Sequence, residues 1–382
     1  MAAALGVLVS CGSVKSGEEV VAASRDSKVV VAYVTSWSEV MPDPQYMTHI
    51  NYAFGHVNES FNGVKIDNEE RLRQIVDLRK QKPELKVLLS IGGWGSGRFS
   101  EMAANDEYRR AFVADCARVV KEFALDGIDI DWEYPTSSMA NISSSPDDTE
   151  NFTLLMQDIR AAIGNEKELT LATVASARYI DFKAILPSVD FVNIMAYDMA
   201  SAPKHHSALY PSGHSGDITS DGAVTAHLKA GVPPSKLVMG MPFYGRGGDG
   251  YPSFQDYNKV GNTDTQYTEK WDEVAQVPYL ADKNDTLVFG FENPRSLAIK
   301  CQYILDKDLL GGMYWDYSGD NEQGDLRRTV AENLLGKPHK AKVLVLTERG
   351  GQHGGFTDAG LRWLAAEGAK GNFSITEINN AR

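Results

Sequence analysis

Between residues 28 and 336, short apolar runs alternate with stretches whose apolar positions recur every three to four residues. The runs are Val29–Val34, His49–Phe54, Lys86–Ile91, Gly127–Trp132, Leu169–Ala175, Phe191–Ala196, Lys236–Pro242 and Gly312–Trp315. At four to eight residues each they read as buried strands, and Glu69–Lys82, Tyr108–Ala124, Thr149–Ile163 and Pro294–Lys307 read as amphipathic helices. Eight strands with crossovers in about 300 residues predict a closed (β/α)8 TIM barrel. An open doubly wound sheet would more often use fewer strands and one glycine-rich phosphate turn. The barrel places function at the C-terminal strand ends and in the loops after them. After a break at Gly336-Lys-Pro-His-Lys340, the run Lys342–Thr347, a glycine-rich turn, a helix near Thr357–Gly368 and a further strand-like piece follow. That pattern is the first βαβ unit of a doubly wound domain, and about 40 residues are too few to bury a separate core. The expected organisation is therefore a leader and tether at 1–27, the barrel at 28–336, and a truncated flavodoxin-like segment at 337–382.

The fourth strand departs from simple burial. In Leu125-Asp-Gly-Ile-Asp-Ile-Asp-Trp-Glu133, a side-chain period of two puts Asp129, Asp131 and Glu133 on one face and Ile128, Ile130 and Trp132 on the other. The apolar face meets the helices, so the three carboxylates project inward. Packing alone would not select this, because unpaired buried carboxylates cost several kcal/mol each or take up protons. Crowded acids leave at least one protonated near neutrality. Glu133, the outermost, is placed to donate that proton to a ligand. Asp131 and Glu133 leave the strand on the same side, about 6.6 Å apart along it. That separation does not choose between inverting and retaining chemistry. The shared direction, however, makes it hard for one acid to attack a carbon whose leaving group the other protonates.

Other strands end in polar or aromatic residues: Tyr33 on the first, Ser90 on the third, Met195, Tyr197 and Asp198 on the sixth, Tyr244 and Arg246 after the seventh, and Trp315 on the eighth. Hydroxyls, a carboxylate, a guanidinium and an indole converging on an acid suit a neutral ligand rich in hydroxyls and amides, with flat apolar faces; sugars have that surface. The charge balance agrees. With 38 basic and 51 acidic side chains, a net charge of −13 and no long basic run, nucleic acid and anionic membranes are excluded as main partners. Three cysteines cannot build a disulfide framework; Cys116 and Cys301 fall in helical stretches, where buried thiols are expected.

LDGIDIDWEYP resembles the Asp-x-x-Asp-x-Asp-x-Glu signature of the chitinase-like glycoside hydrolases of family 18. LLSIGGWG, NIMAYDM, MPFYGR and GGMYWDYSGD are similar to that family's other strand-end motifs, in the same order, over residues 28–336. The resemblance implies hydrolysis of β-1,4 bonds next to N-acetylglucosamine, with retention, through attack by the substrate's own 2-acetamido oxygen. It implies Glu133 as general acid/base, Asp131 as the residue orienting the acetamido group, and Asp129 as an inner charge reservoir supported by Tyr33 and Ser90. Tyr197 would hydrogen-bond the acetamido oxygen with Met195 and Asp198 beside it, Tyr244 and Arg246 would line the sugar site, and Trp315 would form its floor. Trp94 is a further candidate sugar contact, with Trp37 and Trp271 as other surface aromatics. Asp126 is off the inward face by parity and is expected to support structure.

Rival readings keep the fold: an endo-β-N-acetylglucosaminidase acting on N-glycan cores, or a sugar-binding lectin, although lectin-like members usually lack the acid that Glu133 supplies. The 47 residues between Arg246 and Pro294 are short for a tunnel-forming insertion, so an open cleft is expected. No cofactor and no metal are expected. Gly245-Arg-Gly247-Gly-Asp-Gly250 fits G-x-G-x-x-G, but Tyr251-Pro252 follows it instead of a helix. His205, His206 and His214 share one loop, yet adjacent histidines point apart. Gly213-His-Ser215-Gly-Asp217 falls one glycine short of a nucleophile elbow, and the lysine base of a magnesium-dependent barrel is missing.

The two ends carry resemblances of their own. Leu8-Val-Ser-Cys11 resembles the end of a bacterial lipoprotein signal, in which Cys11 would carry the lipid. No Lys or Arg precedes it, and an apolar start without meaning is the alternative. This reading makes the protein an exported, membrane-anchored lipoprotein, taken as a monomer. VLVLTERGGQHGGFTDAG is similar to the start of trehalose-utilisation, glutamine-amidotransferase-like domains.

Overall fold

Each of the eight apolar runs forms a parallel strand: β1 (Val29–Thr35), β2 (His49–Val57), β3 (Lys86–Gly92), β4 (Gly127–Asp131), β5 (Glu168–Val174), β6 (Phe191–Met195), β7 (Leu237–Pro242) and β8 (Gly311–Trp315). The computed structural model describes residues 28–248, 251–260 and 266–336, and the backbone of 341–347 and 373–379. Strand order is β1-β8-β7-β6-β5-β4-β3-β2, and β2 pairs back onto β1, closing the (β/α)8 barrel.

The expected helices are present with small boundary shifts. Asp106–Glu122 buries Phe112, Val113, Cys116, Val119 and Val120, a stripe at helical spacing, and Asn105 caps it by accepting from the Glu107 and Tyr108 amides. Pro294–Asp306 begins with proline in its first turn behind an Asn293–Ser296 capping box. The 69–82 stretch splits into an α-helix, Glu69–Val76, and a 3-10 turn, Asp77–Lys80. Between β1 and β2 the crossover holds only a 3-10 turn at Pro44–Tyr46.

The strand parity read from the sequence sets the core. Ile128, Ile130 and Trp132 face the helix layer, where Trp132 stacks on Phe99 at 5.2 Å and meets Phe152 edge-on at 5.9 Å. Each such fully buried side chain contributes about 1.5–3 kcal/mol. Gly92, at φ 130°, lets β3 approach β4: a Cβ there would lie 1.9 Å from the Asp131 carbonyl oxygen. Asp126 supports structure, accepting from the Val87 amide at 2.8 Å.

The stretch after β7 forms a small antiparallel sheet of Tyr244–Gly247, Gln255–Asp256, Thr268–Asp272, Val277–Ala281 and Leu287–Gly290. The G-x-G-x-x-G decoy starts in the first of these strands, not at a helix. Ala341–Thr347 and Phe373–Asn379 pair in parallel, while the helix expected between them, Cys11 and the rest of residues 1–27 lie outside the described residues. Among the described residues no helix is long and apolar enough to cross a membrane.

Candidate active site

Asp129, Asp131 and Glu133 all point into the barrel mouth and are 0%, 4% and 9% exposed. The innermost is fully solvated by protein. Asp129 Oδ2 accepts from the Tyr33 hydroxyl at 2.9 Å and Ser90 Oγ at 2.8 Å, and Oδ1 from Thr170 Oγ1 at 2.6 Å and Asn193 Nδ2 at 3.3 Å. Four strands thus converge on one carboxylate. Ser90 is completely buried beneath the cleft, is not among the residues lining it, and donates to Asp129, the supporting place the resemblance implies for it. Asp129 likewise lies beneath the cleft and is not among the residues lining it. Thr170 and Asn193 were missed, although a lone Asn inside the apolar run Phe191–Met195 was a visible signal.

The two outer acids lack such support. One Asp131 oxygen, Oδ1, is buried without a partner. Burial first, then the neighbouring Glu133 and Asp129 charges, raise Asp131 well above the usual carboxylate range. Glu133 is pushed up to about 7, chiefly by burial with a contribution from the Asp198 charge, while the Tyr134 hydroxyl opposes the rise. Burial also raises Asp129, against its four hydrogen bonds. Near neutrality the outer pair therefore holds a proton that a ligand in the cleft can take.

The facing wall is built differently. Asp198, just past β6, accepts two hydrogen bonds from Arg246, both at 2.7 Å. Partial burial alone would raise it, but the guanidinium and the adjacent His206 ring hold it well below the usual range. Tyr197 meets Tyr244 edge-on at 6.0 Å, and Tyr244 stacks on Phe254 at 4.7 Å. Gly240 makes room for this: a Cβ would stand 2.8 Å from the Tyr197 ring and 2.3 Å from the Ile194 carbonyl. Burial keeps the Tyr33, Tyr197 and Tyr244 phenols protonated, and Tyr33 spends its proton on Asp129.

Trp315 closes the base of the cleft, stacked on Phe54 at 5.6 Å and tilted against Tyr33 at 5.6 Å. Trp37 and Trp94 stand on the rim at 64% and 62% exposure, whereas Trp271 packs under Arg295, away from the cleft. The cleft encloses about 610 Å³ and takes in Tyr33, Trp94, Met195, Tyr197, Asp198, Tyr244, Arg246 and Trp315 together with Asp131 and Glu133. Sequence reasoning did not single out Tyr134, Arg178, Tyr179 or Phe254, which also line it. They sit in loops where no period marks the inward side. Asp148, also missed, is buried outside the cleft and ties down the loop after Glu133 through Ser100 Oγ and the Thr136 and Ser145 amides.

The remaining candidates lie apart. His205 Nε2 sits 3.2 Å from Asp272 and its pKa is lowered to about 4, mainly by burial. Ser215 bonds within its own turn, to Ser212 and Gly216, and Cys116 and Cys301 are buried free thiols.

The family model described as glycosyl hydrolases family 18 matches residues 29–320. Chitinase A1 of Niallia circulans is 29% identical over 79% of this chain and 58% of its own length, so this chain spans under two thirds of that relative. Chitotriosidase-1 of Mus musculus is 31% identical over 77% of this chain and 74% of its own. Among solved structures, a family 18 N-acetylglucosaminidase from Paenibacillus barengoltzii is similar with a TM-score of 0.74 and 32% identity, covering 80% of this chain and 99% of that one. The Ostrinia furnacalis Group IV chitinase in complex with allosamidin gives 0.72 and 29% identity, with coverage of 79% and 97%. With the eight-stranded barrel and the carboxylate row at its mouth, these matches place the chain in glycosyl hydrolases family 18.

Proposed function

We propose that this glycoside hydrolase cleaves β-1,4 bonds next to N-acetylglucosamine in chitin or chitooligosaccharides, retaining the anomeric configuration. One observation carries the reading. Asp131, the last residue of β4, and Glu133, two residues beyond it, both line the cleft with raised pKa, and the only other carboxylate among the described cleft-lining residues, Asp198, is held by Arg246. Among the described residues no other cleft-lining carboxylate is free to act as nucleophile, so the substrate supplies it. The acetamido carbonyl oxygen bonds to the anomeric carbon as the glycosidic bond breaks, and the Glu133 proton passes to the leaving oxygen. Asp131 accepts from the acetamido N–H, and Tyr197 donates to the acetamido oxygen. Water then attacks the anomeric carbon, giving its proton to Glu133 as the oxazolinium ring opens. Similarity to two chitinases and a chitotriosidase supports this substrate class. Export as a lipoprotein through Cys11 belongs to the same proposal; labelling with a palmitate analogue that persists in Cys11→Ala would count against it.

Mass spectrometry of products from chitopentaose and, in parallel, from a chitobiose-core glycopeptide tests the activity, with Glu133→Gln as control. Cleavage of chitopentaose that disappears in the variant is the expected result. Cleavage of the glycopeptide alone would move the activity to N-glycan cores, and binding without cleavage of either would make the protein a lectin.

A further inference from the structure

Trp94 stands on the cleft rim, and its ring stacks on no aromatic or cationic group among the described residues. Its backbone lends it little stiffness. It lies between Gly93 and Gly95, both at positive φ of 93° and 82°, in a stretch that is neither helix nor strand. An aromatic platform helps a ligand most when it is already in place, because ordering it on binding costs affinity. The stretch is fastened at its two ends: the Gly93 amide donates to the Asp131 carbonyl at 2.9 Å, and Phe99 is fully buried. Between those ends one side-chain hydrogen bond holds residues 93–98 among the described residues, from Ser96 Oγ to His56 Nδ1 at 2.8 Å.

His56 is itself held. It sits at the end of β2, with Nε2 3.0 Å from Asp67 Oδ2. Asp67 follows the short strand Val64–Ile66, which pairs antiparallel with the end of β2. The Asp67 amide donates to the Phe54 carbonyl at 3.0 Å, and its carbonyl accepts from the buried Tyr52 hydroxyl at 2.9 Å. A carboxylate only accepts, so Nε2 carries the hydrogen and Nδ1 of the neutral ring accepts from Ser96 Oγ; a charged ring would donate to the same oxygen, and the link persists in both states. We propose that His56 is a positioning residue for the saccharide: braced by Asp67, it holds the loop through Ser96 so that Trp94 meets the sugar in a fixed place. His56, Asp67 and Ser96 are not among the residues lining the cleft, so they act only through the indole they place. The inference rests on the cleft being the saccharide site proposed above.

The test is steady-state kinetics of the full chain on chitopentaose, with melting temperatures measured alongside. Ser96→Val and His56→Leu each break the link, and either suffices should the other not fold; Ser96→Thr keeps the hydroxyl on the shape of valine. The breaking variants should raise KM about threefold to tenfold with kcat within about twofold, and Ser96→Thr should stay near wild type. The decisive comparison uses a Trp94→Ala background, which raises KM by itself. There Ser96→Val and His56→Leu should change KM by less than about a further twofold, because the group they place is gone. Full additive losses in that background, an unchanged KM in the breaking variants, or Ser96→Thr behaving like Ser96→Val would reduce the bond to an ordinary part of the fold and overturn the inference. An unchanged KM in Trp94→Ala would also overturn it, and the proposed function would stand because chitopentaose is still cut. If the wild type neither cuts nor binds chitopentaose, the saccharide reading of the cleft fails first and this inference falls with it.

Discussion

Glu133 on the β4 side of the cleft and Asp198 on the β6 side face the same space, yet their protons behave in opposite ways. Glu133 is buried, pairs with no cation among the described residues, and its pKa climbs to about 7, chiefly through burial. Asp198 has a guanidinium bonded to both its oxygens and stays ionised. The wall without a cation stores a proton and the wall with one stores a fixed charge. That fixed charge in turn lifts Glu133, so the two walls act as one acid–base device.

The strongest way to break this comparison is to remove the proton store. Glu133→Gln should lower kcat on chitooligosaccharides by about a thousandfold while sugar binding persists, and near-normal turnover would sink the assignment. Asp131→Asn keeps the shape but loses the acceptor for the acetamido N–H; kcat should fall on the order of a hundredfold, more than KM changes. Stability gives a second, opposite readout of the same residue. Because the folded pKa of Glu133 lies above its ordinary value of 4.5, the folded state holds an extra proton between 4.5 and about 7, and wild-type stability declines as pH rises through that window. Glu133→Gln lacks this slope, so its Tm advantage should grow from pH 4.5 to 7 and then level off; parallel melting curves would deny the shift. The smallest effect concerns coupling between the walls. Wild-type kcat/KM should fall as pH rises through about 7, and Asp198→Asn, which removes a charge that raises Glu133, should move that limb to lower pH. An upward or absent move would uncouple them.

Much of this site was legible because a strand has a period of two. Parity alone sorted Asp129, Asp131 and Glu133 from Ile128, Ile130 and Trp132, and it set Asp126 apart as structural. Parity could say that Ser90 points inward but not how deep it lies; only the closed barrel shows it fully buried against Asp129 beneath the cleft. Thr170 and Asn193 complete that support from β5 and β6, more than 40 residues away in sequence, where only barrel closure brings them to one carboxylate. Tyr134, Arg178, Tyr179 and Phe254 come from loops, and a loop has no period from which to read a direction.

The sequence by itself determined the eight-stranded barrel, the inward row of acids and the family, since each follows from local alternation or from short motifs. Tertiary structure decided which acid stays charged and which holds a proton. That choice depends on burial and on whether a cation is paired with the carboxylate, and Arg246 reaches Asp198 across 48 positions of sequence. Tertiary structure also brought Arg178 to the cleft with no Asp or Glu partner among the described residues, a property of surroundings that no pattern along the chain encodes.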